Sequence, residues 1–134
     1  MFRKPDRSPW GEVRDCDVLC PGVFMVMTPG HGGILVSQDI SAFLSPAARK
    51  QGMRANGYLC YEEDTAEVIV LRELLDKKLW GVPHWIDNPA AFEEHINKTL
   101  REHHPDYWRS RTHGRDSAEA ARPAPVKDAA QYAR

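Results

Sequence analysis

Hydrophobic and polar positions change rhythm several times along the chain. Residues 1–9 hold two prolines and four charges, Arg3, Lys4, Asp6 and Arg7, without any period, and read as a leader. From Trp10 the pattern turns to strand language. Val13, Val18, Cys20, Val23, Phe24, Val26 and Met27 form β-branched and aromatic runs broken at Pro21-Gly22. The glycine-rich stretch Thr28-Pro29-Gly30-His31-Gly32-Gly33 follows, and then a second apolar run, Ile34-Leu35-Val36-Ser37. Two such runs around a glycine-rich connection predict an antiparallel hairpin with a long loop. Residues 39–48 predict a short helix or helical turn interrupted near Ser45, since Pro46 cannot continue one. Residues 51–57 are polar and predict a loop, and Tyr58-Leu59-Cys60-Tyr61 a brief strand.

Helical periodicity takes over next. Asp64 with Glu67 fits a capping box, and Val68, Ile69, Val70, Leu71, Leu74 and Leu75 cover a broad face at helical spacing. After the aromatic connector Leu79–Trp85, Asn88-Pro89 marks a helix start, an N-cap followed by proline at the first position. Ala91, Phe92, His95, Ile96, Thr99, Leu100 and His103 share one face of that helix. Glu93, Glu94, Asn97, Lys98, Arg101 and Glu102 lie opposite, with Glu94 and Lys98 as an i,i+4 pair. It should stop before Pro105. Past Trp108 large apolar residues almost vanish, which predicts a flexible tail over 109–134 with at most a short helix at 117–122. The expected architecture is α+β: a small N-terminal antiparallel sheet packed with two main helices, as one domain over 10–108.

Composition narrows the function. The 134 residues are 42% apolar and 28% charged with net charge −1, which excludes a polybasic nucleic-acid binder and a long coiled coil. That near-neutrality is a cancellation. Residues 1–108 carry 12 basic and 16 acidic side chains, net −4, and residues 109–134 carry 6 and 3, net +3. No apolar run reaches the ~20 residues that span a bilayer, and no apolar stretch backs Arg3, Lys4 and Arg7 as a signal peptide would require. A cytoplasmic location is the expectation. Three cysteines, an odd count, favour reduced thiols over a disulfide framework.

Three segments bear candidate chemistry. The Thr28, Gly30, His31, Gly32, Gly33 loop allows positive φ and close approach of a ligand, with His31 as acid/base; turn chemistry is the plainer reading. Tyr61-Glu62-Glu63-Asp64 offers carboxylates whose repulsion raises a pKa, although acidic residues also belong at helix N-termini. Trp80, Trp85, Tyr107 and Trp108 are aromatic anchors for a partner if exposed. A metal is not expected. Cys16, Cys20, Cys60 and His31 match paired-ligand spacings only loosely, and His95 and His103 lie about 12 Å apart along a helix. No cofactor is implied, and neither a nucleophile elbow nor a Cys-His pair stands out.

Trp10-Gly11-x-Val13, Pro21-Gly22-Val23, the Thr28–Ile34 loop and Tyr61–Asp64 together resemble a family of small uncharacterised domains from phages, plasmids and integrative elements of proteobacteria. The resemblance covers about Trp10 to Leu75. It implies a mobile-element accessory protein that binds host machinery, most of all an inhibitor of a host defence complex in the manner of anti-CRISPR proteins. The non-enzymatic reading leads. One alternative is a small hydrolase or transferase using His31 with Glu62 or Glu63. The other is a nucleic-acid accessory protein using Arg49, Lys50, Arg54 and the basic tail.

Overall fold

The computed structural model describes the backbone of residues 2–121 and the side chains of residues 2–113. A five-stranded antiparallel sheet organises the chain. Strands β3 (Asp15–Cys20), β4 (Val23–Met27) and β5 (Gly32–Ser37) follow a small separate hairpin, β1 (Arg7–Ser8) and β2 (Gly11–Glu12). A 3-10 helix (Gln38–Phe43) and helix α1 (Pro46–Gln51) lead to β6 (Met53–Ala55) and β7 (Tyr58–Glu62). The strand order is β3-β4-β5-β7-β6, so β7 inserts beside β5 with Gly33 opposite Glu62 and Leu35 opposite Cys60. Three further helices follow: α2 (Glu67–Asp76), α3 (Pro89–His103) and α4 (Pro105–Ala121). The α+β architecture with an N-terminal sheet is as the sequence predicts.

Alternation along the strands gives the sheet two buried faces. One carries Val23, Ile34, Val36, Leu59 and Tyr61 and packs beneath the helices, against Ile69, Leu74, Ile96 and Leu100. The other buries Phe24, Val26, Leu35 and Cys60 beneath Phe2, Trp10 and Val13 of the N-terminal arm. The leader is therefore part of the fold.

Several local expectations change. The segment 51–57 is not a loop: β6 and β7 form a hairpin closed by Asn56 and Gly57, at φ 50 and 85. Two left-handed residues in a two-residue turn match the right-handed strand twist, which is why Asn-Gly suits the position. The capping box at Asp64 does not form. Asp64 itself sits at φ 74, and α2 starts at Glu67 after Ala66, without a side-chain cap. Asn88 behaves as expected, its Oδ1 accepting from the Ala91 N–H at 3.0 Å.

The face of α3 is rotated from the apolar stripe. His95 is exposed, whereas Glu93 and Asn97 turn inward to Arg72. Glu94 pairs with Arg101 at 2.7 Å. Arg72 is 5% exposed and fully engaged, its Nε donating to Asp76 and its two terminal nitrogens to Asn97 and Glu93. The neighbouring Glu73, 4% exposed, accepts from the Ser45 N–H and hydroxyl, Lys77 and Tyr107. A buried charge is tolerable only when so completely partnered.

That network also alters the C-terminal boundary. Helix α4 runs through residue 108 without interruption. Tyr107 is buried, and Arg111 clamps Asp76 with both Nε (2.7 Å) and Nη2 (2.9 Å). Packed structure therefore continues past the composition shift at 109. The part of the predicted tail over 122–134 lies outside the described residues.

Candidate functional site

Pieces distant in sequence meet at one corner of the sheet: Thr28 reaches Trp10, and His31 approaches Glu62. The Thr28 N–H donates to the His31 carbonyl at 2.7 Å, closing a tight turn over Thr28-Pro29-Gly30-His31. The Thr28 hydroxyl, 6% exposed as a residue, holds that turn from inside. It accepts from the His31 N–H at 3.1 Å and lies 2.7 Å from the His31 carbonyl and 3.3 Å from that of Trp10. The Glu63 N–H donates to Gly32 at 3.0 Å, tying the acidic segment to the same loop.

The loop glycines do not serve the left-handed backbone that their number suggests; none of Gly30, Gly32 and Gly33 has positive φ. Gly32 and Gly33 belong to β5, and the need at Gly33 is space. A Cβ there would lie 2.3 Å from the Tyr61 carbonyl oxygen and 2.5 Å from the Trp10 ring. The missing side chain admits the indole onto the sheet. Trp10 thus belongs to the corner, a role that only a long-range contact reveals.

This assembly brings together the two groups that the sequence singles out for acid/base chemistry. His31 Nδ1 lies 3.7 Å from Glu62 Oε2, close enough for an ion pair but longer than a hydrogen bond. Both side chains are more than half exposed, at 59% and 54%, so the pair faces solvent. Glu63 and Asp64 sit one and two residues on, at the turn into α2. They repel the half-buried Glu67, which burial pushes up to about 7. Tyr61 departs from the acidic segment altogether. Its side chain is fully buried, its hydroxyl donates to Ala48 at 2.7 Å, and burial raises its phenol well above the ordinary range.

The aromatic candidates scatter. Tyr107 is buried against Glu73 and is unavailable to a partner. Trp80 is half-buried and packs on Phe92 with ring centroids 6.4 Å apart. Trp108 is half-buried, with the guanidinium carbons of Arg101 and Arg111 5.6 and 5.0 Å from its ring centroid. Trp85 alone of the four projects, 72% exposed, its ring edge-on to His84.

The basic residues fare unevenly. Arg49 folds back onto the Leu44 carbonyl, whereas Lys50 and Arg54 are exposed. Arg109 pairs with Asp106, and Arg111 is committed to Asp76. Cys16 and Cys60 lie on the arm side of the sheet and Cys20 packs with the helix side, so the thiols are divided between two layers. Among the described residues no three His, Cys, Asp or Glu side chains come together as metal ligands. No helix among them is long and apolar enough to cross a membrane.

The fold is thus that of a small α+β protein whose sheet is covered by helices on one face and by its own N-terminal arm on the other. The chain belongs to the family described as Domain of unknown function (DUF7007), whose model matches residues 3–133. The family extends well beyond the stretch from Trp10 to Leu75 and takes in α4 and the segment after it. No curated protein and no solved structure matches the chain.

Proposed function

We propose that the protein acts by binding another protein, with the Trp85 connector as its main anchor. The observation that carries this reading is the exposure of Trp85, 72% in a chain whose other three tryptophans are at least half-buried. A rigid aromatic that remains in water is the kind of side chain that dominates binding energy once a partner desolvates it. Leu79 of the same connector is also 45% exposed. The partner class we propose is a host defence complex, of the CRISPR-effector kind, following the resemblance to mobile-element proteins. Affinity capture from a host lysate tests it: a stoichiometric partner supports the reading, and none recovered contradicts it.

A second reading is favoured by one observation, the 3.7 Å approach of His31 to Glu62. Such a pair is able to activate a water for hydrolysis. The exposure of both groups counts against it, since catalytic electrostatics gain their strength where water is excluded. Hydrolysis of chromogenic ester and phosphodiester substrates that His31→Ala abolishes would favour this reading over the first.

A further inference from the structure

The two covers of the sheet are built differently. On the helix side, α2, α3 and α4 are joined by a large apolar cluster and by the Arg72 and Glu73 networks. On the other side, the cover is residues 2–13, reaching Phe24, Val26, Leu35 and Cys60 through three partly buried side chains, Phe2, Trp10 and Val13. The arm is internally bonded. β1 pairs with β2, the Ser8 hydroxyl donates to Gly11 at 2.9 Å and accepts from the Trp10 N–H at 3.2 Å, and the Val13 N–H donates to Asp6 at 2.9 Å. Among the described residues, the one hydrogen bond from this arm to the body is from the Thr28 hydroxyl to the Trp10 carbonyl, at 3.3 Å. The main body's own ladder begins at the next residue, where the Arg14 N–H donates to Met27. Local opening runs in contiguous cooperative units, and a segment bonded more to itself than to its support has the make-up of one.

We propose that residues 2–13 form a strap that opens as a unit about Val13–Arg14 and uncovers the second face of the sheet, and that the Thr28 hydroxyl couples this opening to the His31 loop. Thr28 supplies the coupling because one oxygen touches Trp10 on the strap and both the N–H and the carbonyl of His31. Opening removes the Trp10 ring from Gly33, directly opposite Glu62 in the ladder, so the corner loses its cover together with the Thr28–Trp10 contact. This device is independent of any role of Trp85.

Cys60 reports on opening. It is 4% exposed beneath the strap, and burial pushes its thiol up to about 11, so a thiol reagent at pH 8 reacts mainly with an opened form. The test follows Cys60 modification by a disulfide reagent in the full chain, read by peptide mass spectrometry, alongside amide exchange of β5 and of His31. Trp10→Ala should speed Cys60 modification and His31 exchange at least tenfold; Val13→Ala, a gentler change, should speed both severalfold. Ile69→Val, on the helix side, should speed β5 exchange severalfold and leave Cys60 modification unchanged, since its packing is intact in both strap states. Cys60 modification that rises with β5 exchange in Ile69→Val overturns separate opening. A His31 amide that ignores both strap variants overturns the coupling.

Discussion

The phenol of Tyr107 donates to Glu73 Oε2 at 2.6 Å, and through that bond a helix at the end of the described chain is fixed to the centre of α2. The same carboxylate receives the Ser45 N–H at the start of α1, so one buried charge joins three helices. Tyr107→Phe keeps the ring and removes the donor. It should cost about 1–3 kcal/mol in denaturant unfolding, the usual loss for a bond to a buried charged group. Glu73→Ala should cost more, because Ser45, Lys77 and Tyr107 all lose their acceptor.

Gly33 and Gly30 belong to one motif but should respond oppositely to alanine. At Gly33 the new Cβ meets backbone and the Trp10 ring at 2.5 Å or less, so Gly33→Ala should destabilise by at least about 2 kcal/mol. At Gly30 nothing lies within 4 Å of the added Cβ. Gly30→Ala should be neutral or up to about 1 kcal/mol more stable, through a less flexible unfolded chain. Thermal unfolding of the two variants checks this.

Glu67 sets a pH dependence. Burial, with Glu63 and Asp64 nearby, raises its pKa from 4.5 to about 7 in the folded state. Between those values the folded protein binds more protons than the unfolded chain, so this group's contribution to stability falls as pH rises. Glu67→Gln should flatten the fall between pH 4.5 and 7 and raise the denaturation midpoint above pH 7. A wild-type profile that Glu67→Gln leaves unchanged would contradict it.

Elements with a local signal are legible in the sequence: strands around Phe24, Leu35 and Leu59, the apolar run of α2, and the Asn88-Pro89 start of α3. What escapes is long-range. The face of α3 is turned by Arg72, 21 and 25 residues from its partners Glu93 and Asn97, which polarity alone assigns to solvent. Helix α4 is anchored by Tyr107 and by the Arg111–Asp76 pair, so its scarcity of apolar residues reads as a tail. The Asn56-Gly57 turn has a short-range signature, masked by the polar residues before it. At the candidate site, His31 and Glu62 are visible as chemistry. Their meeting depends on the β5–β7 register, and the place of Trp10 depends on a side chain that Gly33 lacks.

The central claim, that the protein binds a partner through the Trp85 connector, is tested most directly by quantitative affinity capture with wild type, Trp85→Ala and His31→Ala in parallel. Truncating an exposed anchor leaves the fold intact and should cost at least about 2 kcal/mol of binding, more than a tenfold loss. The expected result is one partner at near-equal stoichiometry with wild type and His31→Ala, depleted more than tenfold with Trp85→Ala. A partner retained equally by Trp85→Ala, or no partner with wild type, would contradict the claim.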